Sequence, residues 1–184
     1  TKANLFSNLY VLGIQNIYNG DKVYIDSCRI QDKVLINSEE NTYYLSKPFL
    51  PKLFIGATQK SDVVMVYSGK NEGSIFSKTG KRKRRFSLNI KKRKVRNEDR
   101  SEYFEKIDGK RISVAVLKKE LHFPETKPYC TALYTDDYGN ILLRGYAVED
   151  GLYEYYAYSP EGEKMGRIEM GFLSKGAVFK GDYI

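Results

Sequence analysis

The chain alternates short apolar runs with polar segments that are rich in turn-forming residues. The clearest series covers residues 132–135, 141–146, 152–158 and 164–170. Asp-Asp-Tyr-Gly-Asn, Glu-Asp-Gly and Ser-Pro-Glu-Gly separate these runs. Gly and Asn accept the positive φ that a tight reversal needs, and Pro fixes φ near the value that begins one. The pattern therefore predicts four antiparallel strands joined by short turns.

Two earlier units follow the same pattern with fewer residues per unit. In the first, the strands are predicted at residues 22–28, 33–37 and 41–45, with Gln31-Asp32 and residues 38–40 as polar breaks. In the second, they are predicted at residues 62–67, 74–77 and 85–90. Phe86, Leu88 and Ile90 alternate with polar residues along the last strand. One face of that strand is therefore expected to be buried and the other solvated.

A repeated phrase suggests how these units are arranged. A turn pair ending in Asp or Asn precedes an apolar strand at Asp21, Asp62, Asn140 and Asp182, at intervals of 41, 78 and 42 residues. Two of these intervals match the length of one four-stranded blade of a β-propeller. The sequence thus predicts an all-β fold of about three four-stranded antiparallel blades in one domain, residues 1–184. The predicted blades are approximately residues 8–56, 57–96 and 129–173, and a next blade begins at 176–184.

The interval of 78 residues fits either two blades or one blade with an insertion, and its composition favours an insertion at 97–128. Residues 97–106 are polar, with acidic residues early and Lys late, as a short helix prefers. Residues 112–117 could form an extra strand or the buried side of a second helix that continues to Leu121. Periodicity does not decide between them. The insertion is therefore expected to be partly helical near 97–121.

These phrases resemble the bacterial six-bladed β-propeller family of the NHL-like type, over the passage from Ser61 to Ile184. The matching segments are Val66-Tyr67 and residues 76–81, 123–128, 136–141 and 158–162. The resemblance implies a scaffolding or protein-binding propeller without established catalytic residues. Because members are often exported and lipid-anchored, it also implies the cell envelope or periplasm, a location that the residues themselves do not show.

Three blades are too few to close a ring, since propellers use about 4 to 8. The chain is therefore expected to be a piece of a longer protein, or one half of a ring that a homodimer completes. The position of Ile184 inside a predicted strand favours the first alternative. The expected partner is accordingly another protein or the missing blades of the same protein.

Composition is that of an ordinary β-rich protein: 184 residues, 41% hydrophobic, with a mean hydropathy of −0.52, 16 Tyr and 9 Phe. This length suits one domain with a sizeable core. No apolar run approaches the roughly 18 residues that a transmembrane helix needs, so no transmembrane segment is predicted.

One segment dominates the charge of the chain. Residues 78–96 carry 11 positive charges and no negative ones, while the whole chain has a net charge of +8. The predicted polyanion-binding residues are Lys81, Arg82, Lys83, Arg84, Arg85, Lys91, Lys92, Arg93, Lys94 and Arg96. Such a cluster suits nucleic acid, anionic lipid or an acidic protein. Two alternatives remain open: solvated cations that discourage pairing at a sheet edge, and a nuclear import signal.

Residues for catalysis or metal binding are scarce. His122 is the single histidine, and the two cysteines, Cys28 and Cys130, are far apart in sequence. They are expected to be buried thiols, although a disulfide stays possible if their Cα atoms approach within about 7 Å. Two Cys and one His do not complete a zinc site. Asp136 and Asp137 could bind a cation or simply shape a turn. We therefore expect no cofactor, no metal and no enzymatic activity.

Overall fold

The described residues of the computed structural model are 4–15, 20, 22–37, 42–58, 62–107, 113–149 and 151–173. They are mostly β, as predicted, and contain two short helices. The strands are β1 (Asn4–Gln15), β2 (Lys22–Asn37), β3 (Thr42–Ser46), β4 (Leu53–Ala57), β5 (Val63–Tyr67), β6 (Glu72–Phe76), β7 (Arg82–Ser87), β8 (Ala132–Thr135), β9 (Ile141–Glu149), β10 (Leu152–Tyr158) and β11 (Lys164–Gly171). The helices are α1 (Asn97–Glu105) and α2 (Val114–Glu120).

Three sheets contain these strands, in the orders β1-β2-β3, β4-β5-β6-β7 and β8-β9-β10-β11. Every strand pair whose register is described is antiparallel. The chain forms two compact units. The helical unit comprises Thr1–Tyr10, Cys28–Pro51 and Lys92–Pro128, and the two-sheet unit comprises Val11–Ser27, Lys52–Lys91 and Tyr129–Ile184.

The two four-stranded sheets of the two-sheet unit repeat one another in detail. The turn between β4 and β5 is closed by a bond from Thr58 N to Asp62 O, and the turn between β8 and β9 by a bond from Asp136 N to Asn140 O. The turns before β7 and β11 match as well, because Gly80 and Gly162 both have positive φ, at 78° and 83°. The recurring turn phrases therefore mark equivalent positions in two equivalent meanders.

A shared apolar core lies between these two sheets. Val64 and Val66 of β5 are fully buried together with Ile141 and Leu143 of β9. The hydroxyl of Tyr158 is also buried there and donates a 2.5 Å hydrogen bond to the carbonyl oxygen of Leu88. Burial of aliphatic side chains from both sheets supplies most of the stabilisation of this unit.

The helical unit has its own core, in which Leu117 and Leu121 of the second helical segment pack with Val34 and Ile36 of β2. The helix α1 begins after Arg96, whose backbone N–H donates to the carboxylate of Asp99 at 2.8 Å. This bond satisfies one donor that the start of a helix would otherwise leave unpaired.

Several predictions about elements are confirmed. The four strands predicted from Ala132 onwards correspond to β8–β11, and the short polar helix corresponds to α1. The ambiguous segment at 112–117 contains the start of α2, so the helical alternative is correct for residues 114–117. Phe86, Leu88 and Ile90 are all buried while Ser87 and Asn89 are exposed, although β7 itself ends at Ser87.

Other predictions need correction. Gln31-Asp32 is not a break, since β2 continues from Lys22 to Asn37; neither residue supplies the special φ of Gly or Pro that a turn requires. The strand β4 was not predicted, and it pairs with β5, so the second sheet begins at Leu53 rather than at residue 57. The first sheet has three described strands instead of four. The predicted next blade at 176–184 lies outside the described residues.

Candidate functional site

The first half of the basic segment is an outer strand of the two-sheet unit. A turn brings the chain into β7, with Ser77 N bonded to Lys81 O at 2.8 Å and Gly80 N bonded to Ser77 O at 2.9 Å. Among the described strands, β7 is the last of its sheet and pairs with β6 alone. Phe86 anchors β7 in the core. The cations that precede Phe86 are thereby carried on a rigid element.

All five cations at 81–85 are exposed. Two of them form ion pairs: Lys83 Nζ lies 2.7 Å from Asp62 Oδ2, and Arg84 lies 3.7 Å from Glu163. The other three, Lys81, Arg82 and Arg85, form no ion pair with any described residue. Exposed ion pairs contribute little to stability, and exposed cations outside such pairs contribute no more. Solubility or binding therefore explains these three cations better than stability does.

The second half of the basic segment belongs to a different unit. Residues 92–96 lie in the helical unit, whereas 78–91 lie in the two-sheet unit. Lys94 forms a bridge with Thr126, and Val95 N donates to Glu125 O at 2.9 Å. Lys91, Lys92, Lys94 and Arg96 are exposed and Arg93 is half-buried. The ten predicted residues therefore form two groups, each held by its own part of the fold.

A cavity of about 520 Å³ lies beside the first group. Lys83 and Arg84 line it, together with Asp62 and with residues 137–139 of the turn between β8 and β9. The ring of Tyr138 in this turn is 60% exposed. The cavity thus combines cations, carboxylates and an exposed aromatic ring, and its volume falls within the range of about 300–1,000 Å³ for ligand pockets.

The carboxylates of the Asp136-Asp137 pair have different roles. Asp136 Oδ1 accepts hydrogen bonds from the backbone N–H groups of Tyr138, at 2.9 Å, and of Asn140, at 2.7 Å. Asp136 therefore shapes the turn, as one of the two sequence interpretations held. Asp137 lines the cavity. Sequence reasoning identified neither Asp62 nor Tyr138 as a site residue, because they meet only after the sheets pack.

The remaining reactive side chains are placed as follows. Cys130 is a free thiol, 2% exposed, and burial raises its pKa to about 12. A thiol with so high a pKa is a poor nucleophile at neutral pH. The side chain of Cys28 lies outside the described part of the chain. His122 is exposed, and its Nδ1 lies 3.3 Å from the carbonyl oxygen of Glu120.

The described residues contain neither a candidate metal site nor a membrane-spanning helix. No group of three or more His, Cys, Asp or Glu side chains there is arranged to hold a metal ion. Among the same residues, neither helix has the length and apolar character that crossing a membrane requires.

No protein-family model matches the chain, and no curated protein matches it.

Proposed function

We propose that this chain is a non-enzymatic binding scaffold made of β-propeller blades of the six-bladed, NHL-like type, and that it binds a polyanion through the cations at 81–85. The observation that carries the proposal is a set of three exposed cations, Lys81, Arg82 and Arg85, that form no ion pair with any described residue and lie around a strand that Phe86 anchors in the core.

The paired meanders support the blade interpretation. Each is a four-stranded antiparallel sheet, and their first strands, β4 and β8, contact each other. Gly56 of β4 approaches β8 so closely that an added Cβ would lie 2.4 Å from a side-chain atom of Leu133. Neighbouring first strands and face-to-face sheets are expected where blades radiate from a common axis.

The charge distribution supports an anionic partner. Lys83 and Arg84 pair with Asp62 and Glu163, while the other three cations pair with no residue of the described part of the chain and could contact a ligand. A polyanion that contacts them would release counterions, so its affinity would fall steeply with salt. If the cations served only to prevent pairing at the edge of the sheet, no salt-dependent polyanion binding specific to residues 81–85 would be expected.

The test uses two triple variants that lose the same charge. K81S/R82S/R85S removes the three cations of the first group that form no ion pair with a described residue, and K92S/K94S/R96S removes three exposed cations of the second. Binding of each to a fluorescent DNA duplex and to heparin is measured by anisotropy between low and physiological salt. Each lost phosphate contact should reduce the slope of log K against log salt by about 0.9.

We expect the first variant to lose most of its affinity for DNA and heparin, and its slope of log K against log salt to fall by the equivalent of up to three phosphate contacts. The second variant should keep the affinity and the slope of the wild type. Equal losses in both variants would mean that net charge alone drives binding, and would refute the assignment to residues 81–85. Wild-type protein that binds neither ligand at low salt would refute polyanion binding altogether.

A second candidate is carbohydrate binding in the cavity beside β7, because Tyr138 offers an exposed ring next to polar groups that include Asp137 and Arg84. This candidate predicts binding of neutral oligosaccharides, with no strong dependence on salt. Tyr138→Ala should abolish it, whereas K81S/R82S/R85S should leave it unchanged. The reverse pattern would reject it.

A further inference from the structure

We propose that the helical unit contains a second binding site, for a small aromatic carboxylate, in the open pocket that side chains of α1, of α2 and of residues 121–123 line. The pocket has a volume of about 290 Å³ and is lined by three apolar and three basic side chains: Phe104, Leu121, Phe123, Arg100, Lys118 and His122. None of the described acidic side chains lines it.

The apolar floor of the pocket is built from interlocking rings. Phe104 and Phe123 lie 5.5 Å apart between ring centroids, at 68°. Tyr103 packs edge-on against both, and its hydroxyl is fixed by a 2.9 Å hydrogen bond to the carbonyl oxygen of Ser46. Leu121 closes the floor and is buried in the core of this unit. Because the rings hold one another, the floor exists before any ligand arrives, which lowers the entropy cost of binding.

The rim carries positive charge that forms no ion pair with the described residues. The guanidinium of Arg100 and the ammonium of Lys118 each lie 5.7 Å from a phenylalanine ring centroid, those of Phe123 and Phe104 respectively. Neither forms an ion pair with a described residue. Neighbouring lysines differ, since Lys106 pairs with Glu102 and Lys127 pairs with Asp99.

Cation–π contacts hold the two charged groups above the floor but leave their net charge uncompensated. A ligand that suits the pocket must therefore carry a negative charge at one end and an apolar ring at the other. Arg binds a carboxylate through paired N–H donors, and charge-assisted bonds of this kind are among the strongest in proteins. The volume is just below the range of about 300–1,000 Å³ for small-molecule sites, and it suits a ligand of about one ring with its acid group.

Phenylacetate is a suitable probe, and phenylacetamide, its neutral isostere, is the control. Both are titrated into ¹⁵N-labelled protein and followed by amide chemical shifts. We expect saturable shifts at residues 121–123 with phenylacetate, and binding of phenylacetamide weaker by about tenfold, the size of one lost charge-assisted interaction.

Arg100→Gln and Lys118→Gln should each weaken phenylacetate binding several-fold, whereas Lys119→Gln should not. Lys119 is the matched control because it is exposed on the same helix and does not line the pocket. Since all three side chains are exposed, the variants are expected to fold, which their unperturbed amide spectra would verify. Equal affinity for the acid and the amide, equal effects of the Lys118 and Lys119 substitutions, or no saturable shift at 121–123 would each overturn the proposal.

Discussion

The hydroxyl of Thr135 donates a 2.8 Å hydrogen bond to the backbone carbonyl oxygen of Ala57, 78 positions earlier in the chain. Seventy-eight is also the spacing between Asp62 and Asn140, which close equivalent turns. The bond therefore joins equivalent ends of β4 and β8, the first strands of the two four-stranded sheets. It is a direct link between two copies of the same structural unit.

Thr135→Val should weaken that link without changing the shape of the side chain. Loss of one hydrogen bond, with the carbonyl of Ala57 left partly unpaired, should lower the free energy of unfolding by about 1 kcal/mol. Urea unfolding followed by circular dichroism measures the change. Thr126→Val is the control, because Thr126 is also half-buried and its hydroxyl has no hydrogen-bond partner among the described residues. Equal effects of the two substitutions would show that the inter-sheet bond contributes nothing specific.

Gly162→Ala should be strongly destabilising. Gly162 has a φ of 83°, and an added Cβ would lie 2.6 Å from Cβ of Phe86. Strain at positive φ and steric overlap in the core each cost about 1–2 kcal/mol, so a loss of about 2 kcal/mol or more is expected in the free energy of unfolding.

Gly166→Ala is the matched comparison for this substitution. Gly166 lies four residues later, on β11, and an added Cβ there would meet nothing within 4 Å. Its unfolding midpoint in urea should stay near that of the wild type or rise slightly, because alanine reduces the entropy of the unfolded chain. If both alanine variants shifted the midpoint equally, the close approach of Gly162 to Phe86 would not be a constraint on the fold.

Local chemistry explains which elements the sequence could predict. The turns at Gly139 and Gly162 could be recognised from the sequence because a backbone with positive φ favours Gly, and the other turn-forming residues lie within a few positions of it. The strand β4 was not, since Leu53–Ala57 is short and has no alternation; its pairing with β5 decides its state. Likewise, Gln31-Asp32 is polar enough for a turn, and only its place inside β2 shows otherwise.

The candidate site was predictable only in part, for the same reason. Clustered charge at residues 81–85 can be read directly from the sequence, and so can the alternation that buries Phe86. The separation of residues 92–96 into another unit depends on their pairing with residues 125–127. The association of Asp62 with Tyr138 depends on the packing of two sheets. Contacts of this kind have no local signature.

Asp99→Asn should destabilise the helical unit at neutral pH. Burial raises the pKa of Asp99, but the hydrogen bonds from Lys127 and from the Arg96 N–H, with the charge of Lys127, outweigh it and the pKa is lowered. The contribution of the carboxylate to the free energy of unfolding is therefore fully present above its ordinary pKa of 3.8 and is lost as pH falls below that value. The substitution removes the negative charge that Asp99 contributes to its ion pair with Lys127, which should cost about 1–3 kcal/mol at pH 7.

Urea unfolding at pH 7 and at pH 3 measures this dependence. The difference between wild type and Asp99→Asn should shrink at the lower pH. Glu102→Gln breaks the exposed pair with Lys106 and should change stability by less than about 0.5 kcal/mol at either pH. A pH-independent gap for Asp99→Asn would mean that its cost comes from packing rather than from charge.

Stability should decline at alkaline pH because of Cys130. Burial raises the pKa of its thiol from 9.0 to about 12, so the folded state holds a proton that the unfolded state releases. The contribution of this thiol to the free energy of unfolding is fully present below pH 9. It is lost as pH rises towards 12, at up to about 1.4 kcal/mol per pH unit. Burial raises the pKa of Tyr158 as well, so Cys130→Ala should flatten this decline without abolishing it. Val66→Ala, in the same core, is the control: it should lower stability at every pH but keep the wild-type dependence of stability on pH. If the wild type, Cys130→Ala and Val66→Ala all showed the same dependence, Cys130 would be excluded as its source.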